Sequence, residues 1–81
     1  MRKYLYFSAA WCGPCQSLAP IMEEVNNSVP VQKVDVDTES ELAAEYNIRS
    51  VPTVVLLIED KPVRRYVGVQ SLQTYLDAAG V

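Results

Sequence analysis

Histidine is absent from this chain and cysteine occurs only twice. A structural zinc site needs four ligands, so a monomer would have to recruit carboxylates, although a dimer could pool two cysteine pairs. Two cysteines are also fewer than a secreted domain of this size usually carries. Basic residues are outnumbered, with Lys plus Arg at 7 against 10 Asp plus Glu and a formal charge of −3. That balance argues against a nucleic-acid-binding surface or a polybasic membrane contact, and leaves proteins as the expected partners. No apolar run reaches transmembrane length. There is no low-complexity tract, internal repeat or flexible linker. With 81 residues, 49% of them hydrophobic, a second domain does not fit. The chain lies near the lower limit at which a core suffices without metal or cross-links.

What is present is concentrated in Trp11-Cys12-Gly13-Pro14-Cys15, where an apolar strand-like stretch gives way to a helix-like one. The spacing lets the two sulfurs bond to each other, so the segment can exist in two redox states. At a helix start, unpaired N–H groups and the positive end of the dipole favour a thiolate at Cys12. The thiolate is the attacking form, so a lowered pKa turns an inert thiol into a nucleophile. Cys15, one turn further in, can then attack the resulting mixed disulfide. Pro14 suits a first turn that leaves its N–H unpaired and stiffens the loop, while Gly13 permits close backbone approach. Three other readings compete: a zinc site, a structural disulfide and accidental proximity of two buried thiols. A disulfide spanning three positions closes too small a loop to restrict the unfolded chain much.

The start Met1-Arg2-Lys3, followed by Tyr4 to Ala10, faintly imitates a signal peptide. Cleavage there would remove the first strand and leave the reactive cysteine near a free terminus. The run is also short and rich in tyrosine. A chain used from Met1 is expected in the cytoplasm, where a CxxC pair is more often catalytic than structural.

Residues 3–8 read as a buried strand. From Cys12 to about Asn27, Leu18, Ala19, Ile21, Met22 and Val25 form one apolar helical stripe, with Pro20 expected to bend the helix. Residues 31–36 read as a second strand, parallel to the first because a helix joins them. Thr38 and Glu41 match a capping box that opens a short helix stopped at Asn47. The apolar run Val54–Ile58 reads as a central strand, and Glu59-Asp60-Lys61 as a polar turn. Pro62 opens an edge strand that Gly68 ends, and a last helix runs from about Gln70 to Ala79. The order is βαβαββα, an α/β arrangement.

Val51-Pro52-Thr53 stands forty positions after Cys12. With WCGPC and this order of elements, the chain resembles the thioredoxin family from about Tyr4 to Leu76. The resemblance implies a minimal thioredoxin fold: one domain over 1–81, with a four-stranded mixed sheet and helices on both faces. It also implies a cis Pro52 facing the cysteines, although a trans proline opening a strand would fit the sequence too. A cis proline there leaves the Val51 backbone free to pair with an extended substrate. By the same resemblance, Pro20 matches the proline that kinks the active-site helix. Lys33 matches a lysine beneath the site and Gly68 a glycine beside it. Four departures stand out. The initial strand and helix of longer thioredoxins are missing, and Tyr6 occupies the position of a buried aspartate used in proton transfer. Ser8 replaces a frequent tryptophan, and the segment after Gly68 is short. A phenol with an unperturbed pKa near ~10 is a poor base at pH 7. Tyr6 therefore reads first as a core aromatic whose hydroxyl finds a hydrogen bond, with a direct role as the second reading. Lys33 is a candidate electrostatic helper for Cys15.

Trp11 is either a core aromatic or an exposed groove wall, and its place beside the nucleophile favours the wall. With Val51, Pro52, Gly68 and Val69 it would form an apolar platform suited to extended protein disulfides. The expectation is a monomeric thiol–disulfide oxidoreductase in which Cys12 attacks and Cys15 resolves. It would bind neither metal nor organic cofactor, the working group being the Cys12–Cys15 disulfide. Its electrons would come from a thioredoxin reductase-like partner, an NADPH-dependent flavoenzyme. Two alternatives are a glutaredoxin-like enzyme fed by glutathione and a redox-indifferent docking subunit of a larger enzyme. The first would want a basic residue near the site, where the loop offers Gln16. Arg49 is the nearest such residue in sequence and reads as solvated.

Overall fold

A computed structural model describes residues 1–81. Along the chain run β1 (Arg2–Ser8), α1 (Gly13–Asn26), β2 (Val31–Asp35), α2 (Ser40–Glu45), β3 (Thr53–Ile58), β4 (Lys61–Val67) and α3 (Leu72–Ala78). The strands form one mixed sheet in the order β2-β1-β3-β4. The βαβ connection makes β1 and β2 parallel, with Tyr6 opposite Lys33, while β1–β3 and β3–β4 are antiparallel. This is the α/β thioredoxin arrangement expected from the sequence.

Alternation along the two central strands divides the core between the faces of the sheet. Tyr4, Tyr6, Val54 and Leu56 face Leu18, Met22 and Val25 of α1, together with Tyr75 and Ala79 at α3. Leu5, Phe7, Val55 and Leu57 point the other way, toward Ala43 of α2. Both faces are covered, which is why β1 and β3 read as continuous apolar runs. Burying one Leu or Val side chain of this kind stabilises the fold by about 1.5–3 kcal/mol. Within the first face, the Tyr75 ring meets those of Tyr4 and Tyr66 edge-on, with centroids 5.7 and 5.4 Å apart. The Tyr4 hydroxyl donates to the Tyr75 carbonyl at 2.6 Å, and the Tyr75 hydroxyl accepts from the Gln70 N–H at 3.1 Å. Burial pushes both phenols above the usual tyrosine range.

The helix ends follow local chemistry, with one correction. The Thr38–Glu41 capping box does not form: α2 begins at Ser40, and Glu39 caps it without a side-chain bond. The turn leaving β2 is organised around Asp35 instead. Asp35 accepts the Asp37 N–H on its carboxylate at 2.8 Å and the Glu39 N–H on its carbonyl at 2.8 Å. The Thr38 hydroxyl turns back to the same carbonyl at 3.4 Å. At its other end α2 stops as expected at Asn47, whose φ of 59° is left-handed. The Asn47 and Ile48 N–H groups donate to Ala44 and Ala43, the paired bonds of a Schellman stop. The side chain of Arg65 on β4 reaches across to the carbonyls of Tyr46 and Asn47.

Between β3 and β4, Ile58 pairs with Lys61, so Glu59 and Asp60 form a two-residue hairpin turn. Their φ values, 52° and 65°, are both left-handed, the signature of a type I′ turn. The register of β4 slips between Leu56 and Leu57, which bulges the edge beside Pro62. The final helix starts two residues later than expected, because Ser71 rather than a residue before Gln70 caps it. The Ser71 hydroxyl accepts the Thr74 N–H.

Candidate active site

Parallel pairing brings the ends of β1 and β2 to one edge of the sheet, and the segments leaving them build the site there. Residues 9–12 turn directly from β1 into α1, with the Cys12 N–H donating to the Ala9 carbonyl at 3.2 Å. Cys12 is the N-cap of α1, with φ −88° and ψ 114°, and Pro14 lies in the first turn. The helix therefore presents its unpaired N–H groups to the Cys12 sulfur. One of them, from Cys15, lies 3.2 Å from Sγ. Cys12 and Cys15 are joined as a disulfide with Cα atoms 5.3 Å apart. Each is 4% exposed, and both pack with Ala9, Val36 and Val51 in a small cluster separate from the two main cores. A side chain at Gly13 would meet nothing within 4 Å. Nothing inside the chain requires glycine there.

The Val51–Pro52 peptide bond is cis. The buried Thr53 hydroxyl donates to the Ser50 carbonyl at 2.8 Å, and the Gly68 N–H donates to the Pro52 carbonyl at 2.9 Å. The segment before β3 is thus held from both sides. Gly68 has φ +87° but open space around a notional Cβ, so it is conformation that favours glycine. Next to it, Val69 is exposed.

Trp11 is 70% exposed, a groove wall and not a core residue. Its indole N–H donates to the Asp37 carboxylate at 2.9 Å. With Val36, Ile48, Arg49, Ser50 and Val51 it lines a groove of about 140 Å³. Arg49 is exposed, as read from the sequence, yet it borders this groove. Asp37 was not singled out in the sequence. A βαβ reading contains the signal, because residues just beyond two parallel strands converge.

Tyr6 is 3% exposed, and its hydroxyl donates to the Cys15 carbonyl at 2.8 Å. Burial raises the phenol pKa, and the nearby Ser8 side chain opposes that shift. The phenol is therefore a neutral donor at physiological pH. Lys33 is exposed on the edge strand opposite Tyr6, and the two line a shallow groove of about 200 Å³ with Met22, Glu23, Asn26 and Val31. The structure thus brings Cys12, Cys15, Trp11, Val51 and Pro52 to one end of the sheet, with Gly68 bonded to Pro52. Tyr6 and Lys33 lie behind, toward α1.

Residues 3–78 match the family model described as Thioredoxin. The chain belongs to the thioredoxin family. It is 46% identical to a bifunctional thioredoxin reductase/thioredoxin of Mycobacterium leprae, over 76% of this chain and 14% of that protein. With a thioredoxin of Mycobacterium tuberculosis it shares 42% identity, over 76% of this chain and 57% of that one. The chain therefore spans less than two thirds of either curated relative. A mutant thioredoxin from Halobacterium salinarum superposes with a TM-score of 0.91 at 38% identity, across 96% of this chain and 71% of that one. A thioredoxin from Fasciola hepatica gives 0.87 at 33% identity, across 98% and 78%.

Proposed function

We propose that this chain is a thiol–disulfide oxidoreductase that reduces protein disulfides by dithiol exchange. The observation that carries the reading is the disulfide at the N-cap of α1, set beside an exposed Trp11 and the Val51–Pro52 segment. In the reduced form, the Cys12 thiolate keeps the Cys15 N–H as a donor and the helix dipole as a favourable field. It attacks one sulfur of a substrate disulfide, forming a mixed disulfide and releasing the other sulfur as a thiolate. Cys15 then loses its proton to water or to that thiolate and attacks the Cys12 sulfur. The Cys12–Cys15 bond forms, the Cys12–substrate bond breaks, and its electron pair leaves on the second substrate sulfur. Two electrons have moved, and the substrate holds a dithiol.

The apolar platform of Trp11, Val51, Pro52, Gly68 and Val69 receives the substrate as an extended segment, whose backbone pairs with that of Val51. Whatever approaches Gly13 comes from outside the chain. Reloading requires a dithiol reductant. The fused reductase of the Mycobacterium leprae relative supports a thioredoxin reductase, an NADPH-dependent flavoenzyme, as that partner. A protein-disulfide reductant works where its own pair stays reduced, so we place it in the cytoplasm, as a monomer. Arg49 on the groove beside Trp11 is the one feature that favours glutathione as an alternative reductant.

The test is reduction of a protein disulfide with NADPH and thioredoxin reductase, run in parallel with NADPH, glutathione and glutathione reductase. Turnover in the first system, abolished by Cys12→Ser, is the expected result. Turnover in the second alone would replace the partner. Failure even after charging with dithiothreitol would overturn the activity.

A further inference from the structure

Cys15 is held by more than the helix it belongs to. In the oxidised protein its first turn is closed covalently by the disulfide. Two further contacts of Cys15 do not involve the S–S bond: its N–H to Cys12 Sγ, and the Tyr6 hydroxyl to its carbonyl. The helix itself is weak at this point. Pro20 has no N–H for the carbonyl of Gln16, the residue after Cys15, so the first turn lacks one of its own rungs. Tyr6 comes from β1, one of the two central strands, paired with a neighbour on each side and buried from Tyr4 to Ser8. A bond from that strand ties the start of α1 to the centre of the sheet.

We propose that Tyr6 is a positioning residue that clamps the resolving cysteine to the sheet, holding Cys15 in line with the Cys12 sulfur while Cys12 is bonded to substrate. The proposal rests on the dithiol-exchange reading and assigns Tyr6 to its second step. In the first step Cys12 attacks outward, and the place of Cys15 matters little. In the second, the Cys15 sulfur must reach the Cys12 sulfur as the bond to substrate breaks. Freedom in the first turn then lowers the fraction of aligned encounters. The same looseness would weaken closure at equilibrium, since an untethered dithiol loses more freedom on forming the disulfide.

Tyr6→Phe removes the hydroxyl and keeps the ring. Tyr4→Phe is its control: Tyr4 lies two residues away on the same face of β1, is equally buried, and donates its own hydroxyl to a backbone carbonyl, that of Tyr75. Rapid mixing of reduced protein with a protein disulfide, followed by acid quench and mass analysis, separates formation of the mixed disulfide from its decay. In Tyr6→Phe, formation should stay within about twofold of wild type, and decay should slow roughly two- to twelve-fold, the span of one net hydrogen bond. The dithiol–disulfide equilibrium with glutathione should shift toward the dithiol by a similar factor. Tyr4→Phe should lose comparable stability and move neither readout. Equal slowing of both steps in Tyr6→Phe, no slowing, or the same split in Tyr4→Phe overturns the clamp while leaving the activity intact. A wild-type protein that forms no mixed disulfide overturns both.

Discussion

The turn between β3 and β4 asks two side-chain-bearing residues to adopt a backbone that favours glycine, and that conflict can be measured. Glu59 and Asp60 have φ of 52° and 65°. For an L-residue the left-handed region costs about 1–2 kcal/mol, because Cβ crowds the following carbonyl oxygen. Aspartate tolerates it better than most. Asp60→Gly removes the crowding but adds freedom to the unfolded chain, an opposing effect of about 0.4–1 kcal/mol. The net expectation is a gain of about 0.5–1 kcal/mol. For a domain of this size that corresponds to roughly 2–8 °C in melting temperature. Asp60→Val puts a β-branched side chain in the same backbone well and should shift stability the other way. Both are read by thermal and urea unfolding, with unchanged denaturant dependence as the sign that the unfolded state is comparable. The turn lies at the opposite end of the sheet from Cys12, so disulfide reduction should be unaffected in both. If glycine lowered the melting temperature, or glycine and valine behaved alike, the strain argument would be wrong.

Other outcomes follow from the site and the core. Cys15→Ser should stall exchange after its first step, so a covalent complex between Cys12 and a protein disulfide accumulates and is released by dithiothreitol; a complex that discharges as fast as wild type would remove Cys15 from the resolving role. Stability should fall above pH 10. The buried phenols of Tyr4, Tyr6 and Tyr75 are raised above the value near ~10 that they have when unfolded, so below that pH both states hold the proton and stability is complete. As pH climbs further the unfolded chain releases protons that the folded one keeps, costing up to about 1.4 kcal/mol per pH unit for each such tyrosine. Urea midpoints from pH 8 to 11.5 should show this fall, less steeply in Tyr4→Phe, and a flat profile would count against it.

Much of the fold was readable because its signals are local. The continuous apolar runs of β1 and β3 announced strands covered on both faces, the stripe from Leu18 to Val25 announced the inner side of α1, and Asn47 marked a stop that needs a left-handed residue. The capping box failed because the competing partner, Asp35, belongs to the preceding strand, and a four-residue motif carries no information about it. At the site, the cysteine motif and Val51-Pro52 stand out by spacing alone. The Asp37 bond to Trp11 and the Tyr6 bond to Cys15 do not, since each joins residues brought together only by sheet pairing and helix docking. Tyr6 could be marked as unusual from sequence. Its partner could not.

The cysteines pack with Ala9, Val36 and Val51, apart from the clusters that cover the two faces of the sheet. A change in their bonding therefore reaches the two cores through few side chains, chiefly Tyr6, whose hydroxyl meets the Cys15 carbonyl, and Val36, which packs on both sides. In electrical terms the molecule resembles a terminal mounted on a frame at a few fixed points. Charge can be stored and withdrawn at one end while the support keeps its shape, and the frame can be re-engineered, for instance at the distant hairpin, without retuning the contact.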